Sequence, residues 1–173
     1  MRHQIQRQVL KILGWLFFST LAAHGQGGLF QSELKPVRAT LKASQKEAAP
    51  GDSFDLVVQI RMTRNFHIYG GNDTNSPNIP TTVNLTLPKG LTPAGEWTNA
   101  PSAVKSKDGP LIYTNAVAFH HMVNVSPNAP HQALNISVAL RYQACDDNEC
   151  FPPETLTLET PITIVDKTNS THP

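Results

Sequence analysis

The stretch "FDLVVQIRM", Phe54 to Met62, places Phe54, Leu56, Val58, Ile60 and Met62 at alternate positions, with Asp55, Val57, Gln59 and Arg61 between them. Successive side chains of a strand point to opposite faces, so this period of two describes a strand with one buried face. The same period continues outward in both directions. Upstream, "VRATLKAS" alternates Val37, Ala39, Leu41 and Ala43 with Arg38, Thr40 and Lys42. Downstream, "TTVNLTL" does so with Val83, Leu85 and Leu87, and "LNISVALRYQA" with Ile136, Val138, Leu140 and Tyr142. "IYTNAVAFHHMVNV" reads as one longer β-like stretch, and "TLTLETPITIV" closes the series. The breaks "APGDS", "YGGNDTNSPNIP", "LPKG", "SKDGP" and "SPNAPHQ" carry turn chemistry. No window shows a helical stripe. Short strands joined by Pro- and Gly-rich turns predict an all-β chain, an immunoglobulin-like antiparallel sandwich.

The ends read differently. "MRHQIQRQVLK" holds Arg2, Arg7 and Lys11 and no acid, "ILGWLFFSTLAA" is apolar, and Ala23 and Gly25 stand at small-residue cleavage positions. A basic start, a short apolar run and a small-residue site describe a secretory signal peptide over residues 1–25, too short to span a bilayer comfortably. Residues 26–34 are then a lead-in, 35–166 the domain, and 167–173 a polar, disordered tail. The whole chain has 14 basic and 13 acidic residues. Without the three basic groups of the leader the balance becomes slightly acidic, which argues against nucleic acid as a partner. Export places the protein in the periplasm or outside the cell, where disulfides form.

Both cysteines lie in "YQACDDNECFPP", as a Cys-x4-Cys pair, Cys145 and Cys150. A zinc site needs four ligands with short paired spacings. One cysteine pair, with His120, His121 and His131 at no matching interval, does not supply them, so neither a metal nor another cofactor is expected. The histidines read as surface or edge polar residues. As a staple, a bridge closing six residues contributes only about 2 kcal/mol of loop entropy. As a working pair, cysteines at the mouth of a hairpin would be near solvent and open to a partner thiolate. Asp146, Asp147 and Glu149 between them would disfavour thiolates and raise the thiol pKa values.

At this point the chain resembles a known family. "VALRYQACDDNECFPPETLTLETPI" is similar to the signature of the amino-terminal domain of DsbD, a membrane thiol:disulfide reductase, through Tyr142, Gln143, Cys145, Cys150, Pro152, Pro153 and Glu154. "FDLVVQIRMTRNFHIYG" and "IPTTVNLTLPKGL" are similar to its upstream strands, and the likeness covers roughly residues 35–165. The resemblance implies an immunoglobulin-like sandwich with an inserted active-site region. It also implies an exported thiol relay, reduced by a membrane thiol reductase and reducing thioredoxin-like proteins. Cys145 and Cys150 would be the redox pair, Cys150 the attacking sulfur, and His67, Tyr69, Tyr142, Gln143, Pro152 and Pro153 the surrounding shell. The cysteine loop is one residue shorter than in the best-known member. The region matching the family's cap loop, "SAVKSKDGPLIY", lacks the phenylalanine that shields the disulfide there. The sequence carries neither a membrane nor a thioredoxin-like domain, so a donor is expected to be a separate protein. Two readings stay open: a component of protein-disulfide reduction, or a secreted immunoglobulin-like binding module whose hairpin disulfide is purely structural.

Overall fold

The computed structural model describes residues 35–71, 77–99, 103–105 and 109–166. The expected leader, the lead-in and the tail lie outside the described residues. In chain order the strands are β1 (Val37–Ala43), β2 (Glu47–Ala48), β3 (Ser53–Met62), β4 (His67–Tyr69), β5 (Thr82–Thr86), β6 (Leu91–Asn99), β7 (Ala103–Lys105), β8 (Leu111–Thr114), β9 (Ala116–Val125), β10 (Ala133–Tyr142), β11 (Ala144–Cys145) and β12 (Glu154–Ile164). Among the described residues there is no helix.

The strands form three four-stranded sheets, ordered β1-β3-β9-β6, β2-β12-β10-β5 and β11-β4-β8-β7. The first two make the sandwich. Phe54, Leu56, Val58 and Ile60 of β3 are buried, as are Val123 and Val125 of β9. From the second sheet Ile136, Val138 and Leu140 of β10 and Ile162 and Ile164 of β12 join the same core cluster. Each such side chain contributes about 1.5–3 kcal/mol on burial, so the alternation of the sequence becomes the cohesion of the fold. The chain is thus an all-β, immunoglobulin-like sandwich. Among the described residues, the parallel pairing between named strands is the short match of Thr163 to Glu47 and Ile164 to Ala48.

Three features differ from the sequence reading. "LTPAGEWTN" forms β6 despite Pro93 and Gly95. It is an edge strand, where proline is tolerated, and its register shifts between Ala94 and Thr98 around Gly95, which has φ +90°. The stretch 112–125 is two strands rather than one. Asn115, at φ 60°, breaks it, and its carbonyl accepts from Met62 N at 2.8 Å. The chain passes there from the third sheet into the first. His121 is not a surface residue: it is buried and stacks on Trp97 with ring centroids 4.9 Å apart. His120 points to the opposite face and pairs with Asp55 at 2.7 Å.

The left-handed backbone at Asn115 has a measurable consequence. A β-branched side chain is strained there by about 1–2 kcal/mol, whereas glycine is not. Urea unfolding should show Asn115→Val destabilised by that amount and Asn115→Gly within about 0.5 kcal/mol of wild type; equal stability of the two variants would contradict the account.

Candidate functional site

The third sheet holds Cys145, and Cys150 bridges to it. Strands β10 and β12 pair along their length until Tyr142 faces Glu154. There the Tyr142 hydroxyl donates to Glu154 Oε2 at 2.7 Å. Burial first, and the bonded carboxylate second, push this phenol far above its ordinary value. Beyond that pair the chain leaves the sandwich and makes a small hairpin of its own. Phe151 N donates to Ala144 O, and Asp146 N to Glu149 O, each at 2.9 Å. Cys145 and Cys150 face each other across it and are joined by a disulfide.

The tip of the hairpin is closed by Asp146. Its Oδ1 accepts from Asn148 N at 2.8 Å and Glu149 N at 2.9 Å, the geometry of an Asx turn. These two amides hold the Asp146 carboxyl below its ordinary value against a small opposing effect of burial, with a lesser Coulombic contribution from His67. The acids between the cysteines, read from sequence as electrostatic neighbours of the thiols, therefore include one whose carboxylate builds the turn.

The two sulfurs differ in access. Cys145 is 1% exposed, contrary to the expectation that both cysteines lie near solvent, while Cys150 is exposed. The cause is the register: β11 pairs with β4, so Cys145 lies opposite His67 and Ala144 opposite Ile68 inside the third sheet. Cys150 sits on the outer arm of the hairpin.

The structure brings most of the expected shell together. Tyr69 Oη is 4.0 Å from Cys150 Sγ, and His67 Nε2 is 3.3 Å from Tyr69 Oη. Burial raises the Tyr69 phenol above its ordinary value. Gln143 braces the hairpin from both sides, accepting from Ile79 N at 3.1 Å and donating to Phe151 O at 3.2 Å. Tyr142 lies beneath the site, in the core, with its hydroxyl on Glu154. Pro152 and Pro153 are exposed on the exit toward β12 and have no amide hydrogen to donate.

Sequence reading missed two aromatics. Phe151, directly after Cys150, is 37% exposed and packs on the buried Phe66 with ring centroids 5.7 Å apart. The region matching the cap loop is described only in part, as β7 and residues 109–113. An aromatic beside Cys150 was the signal available. Gly70 is a second hidden requirement: a Cβ there would come within 2.6 Å of Tyr113 Cε2, so only glycine lets the end of β4 pass this ring. Among the described residues no three His, Cys, Asp or Glu side chains converge as a metal site.

The sequence profile described as "Thiol:disulfide interchange protein DsbD, N-terminal" matches residues 37–162. No curated protein matches the chain. The reduced N-terminal domain of DsbD from Neisseria meningitidis is a similar solved structure, with 16% identity and a TM-score of 0.45, over 76% of this chain and 90% of that one. The N-terminal periplasmic domain of ScsB from Proteus mirabilis is another, with 16% identity and a TM-score of 0.42, over 71% of this chain. The chain spans 44% of that ScsB structure.

The Asx turn predicts a pH dependence. The Asp146 carboxyl has a lowered pKa in the folded state, so its contribution to stability is complete above the ordinary carboxylate range and is lost as pH falls through the folded value. Asp146→Ala should therefore lower the melting temperature at neutral pH and cease to do so in strong acid. A difference that persisted unchanged into acid would show that the carboxylate charge is not what the turn uses.

Proposed function

This chain belongs to the family of the DsbD N-terminal domain, and from that premise we propose that it is an exported thiol–disulfide exchange domain working through Cys145 and Cys150. The observation that carries the reading is the unequal exposure of the two sulfurs. Cys150 is open to a partner, whereas Cys145 is 1% exposed directly behind it. A partner thiolate attacks the sulfur it can reach, so Cys150 forms the mixed disulfide and Cys145 is the leaving and resolving group.

The remaining parts fit this role. The bridge is local, and the sandwich core forms without it, so opening the bond costs about 2 kcal/mol of loop entropy and leaves the fold standing. Gln143 and the Asx turn hold the hairpin arms while the bond is open. His67 and Tyr69 flank the exposed sulfur and modulate access to it. Pro152 and Pro153 stiffen its exit. In the cell the domain takes electrons from a membrane thiol reductase in the periplasm and passes them to thioredoxin-like proteins.

Trapping tests the assignment. Cys145→Ser should capture a thioredoxin-like protein through a mixed disulfide, and Cys150→Ser should capture little. Equal capture by both would reject Cys150 as the attacking sulfur. Capture by neither, together with a wild-type bridge that resists reduced thioredoxin and has a potential below about −300 mV, would leave the structural disulfide of a secreted binding module as the better account.

A further inference from the structure

His67 and Tyr69 share one face of β4 and touch edge to face, with ring centroids 5.3 Å apart. With Tyr69 Oη 3.3 Å from His67 Nε2 and 4.0 Å from Cys150 Sγ, three polar atoms run in series from the exposed sulfur to an imidazole. The directions of hydrogen bonding open to this series depend on redox state. A disulfide sulfur has no proton, so a Tyr69 bonded to it must be the donor, which leaves the Tyr69 oxygen to accept from a His67 Nε2–H. A thiol has one, so a reduced Cys150 can donate to Tyr69, whose hydroxyl can donate to a bare Nε2.

We propose that His67, acting through Tyr69, is the proton acceptor for Cys150 when the reduced protein attacks a partner disulfide. The proposal rests on the exchange reading above and adds to it the identity of the base. The proton of Cys150 Sγ passes to Tyr69 Oη as the phenolic proton passes to His67 Nε2. The electron pair left on Sγ bonds to one sulfur of the partner disulfide. The partner S–S bond breaks, and its second sulfur leaves with the electron pair and takes up a proton. The Cys145 thiol then gives its proton to water and attacks Cys150 Sγ. The Cys145–Cys150 bond forms, and the partner's first sulfur leaves and is protonated. One dithiol is oxidised, one disulfide is reduced, and two protons have moved between them.

The groups around His67 favour it over the nearby acids. Asp146 spends its carboxylate on the amides of Asn148 and Glu149, and the same bonds that lower its pKa make it a poor base. Asp147 and Glu149, the other acids of the turn, are exposed. From β8 the residue opposite His67 is Thr114, which does not titrate. Tyr69 relays rather than ionises, since burial keeps its hydroxyl protonated.

The test is a stopped-flow reaction of the reduced full chain with 4,4′-dithiodipyridine, a neutral disulfide. It compares wild type, His67→Ala, His67→Gln and Tyr69→Phe, with and without added imidazole, after their melting temperatures are measured. His67→Ala and His67→Gln should slow the first release of thiopyridone about tenfold, less than the 10²-fold typical of positioned proton transfer because an exposed thiol also ionises to water. Imidazole should restore His67→Ala while leaving wild type unchanged, and should not restore Tyr69→Phe. A wild-type rate in either His67 variant, or a slow His67→Ala that imidazole does not restore, overturns the relay. A reduced wild type as inert as Cys150→Ser overturns the exchange reading itself, which separates the two failures.

Discussion

The site depends on one cross-strand pair, Tyr142 against Glu154, where the ladder of β10 and β12 ends. Below it, nine further paired positions of the two strands fix the register of the second sheet. Above it, the same two chains separate and the cysteine hairpin begins. Tyr142 belongs to both regions, with its ring in the core cluster and its hydroxyl on the carboxylate that opens β12. The position of the disulfide is therefore set by sandwich packing.

The second constraint is the pairing of β11 with β4. It converts two chemically identical cysteines into an inner and an outer sulfur. It also sets His67 opposite Cys145 while Tyr69, two residues along β4, approaches Cys150. Gly70 permits this run of β4 to continue beneath Tyr113. The third sheet is thus a small platform that shares the core of the sandwich through Ile68, Tyr113 and Ala144.

Much of the sandwich was legible because alternation reports burial directly. Every apolar position read from β3 is buried, and so are Ile136, Val138, Leu140 and Tyr142 of β10. Strand β6 was not legible, since Pro93 and Gly95 signal a break and only its position at a sheet edge makes them tolerable. The split at Asn115 was hidden as well, because one left-handed residue leaves no mark on hydrophobic period. At the site, the cysteine motif stood out by its residue types and spacing. The burial of Cys145 and the Phe66–Phe151 contact follow from tertiary register, which no local pattern carries, whereas the Asx turn of Asp146 is local and was passed over in favour of its charge.

An inner sulfur and an outer sulfur also give the bond an orientation. Displacement at sulfur proceeds with the incoming atom, the attacked atom and the departing atom nearly collinear. Cys145 is buried and Cys150 exposed, so on the exchange reading an incoming sulfur can come into line with the bond at Cys150 and is kept from Cys145 by the side chains packed over it. The fold would then act as a stereochemical filter, selecting one end of the bond independently of how reactive either sulfur is.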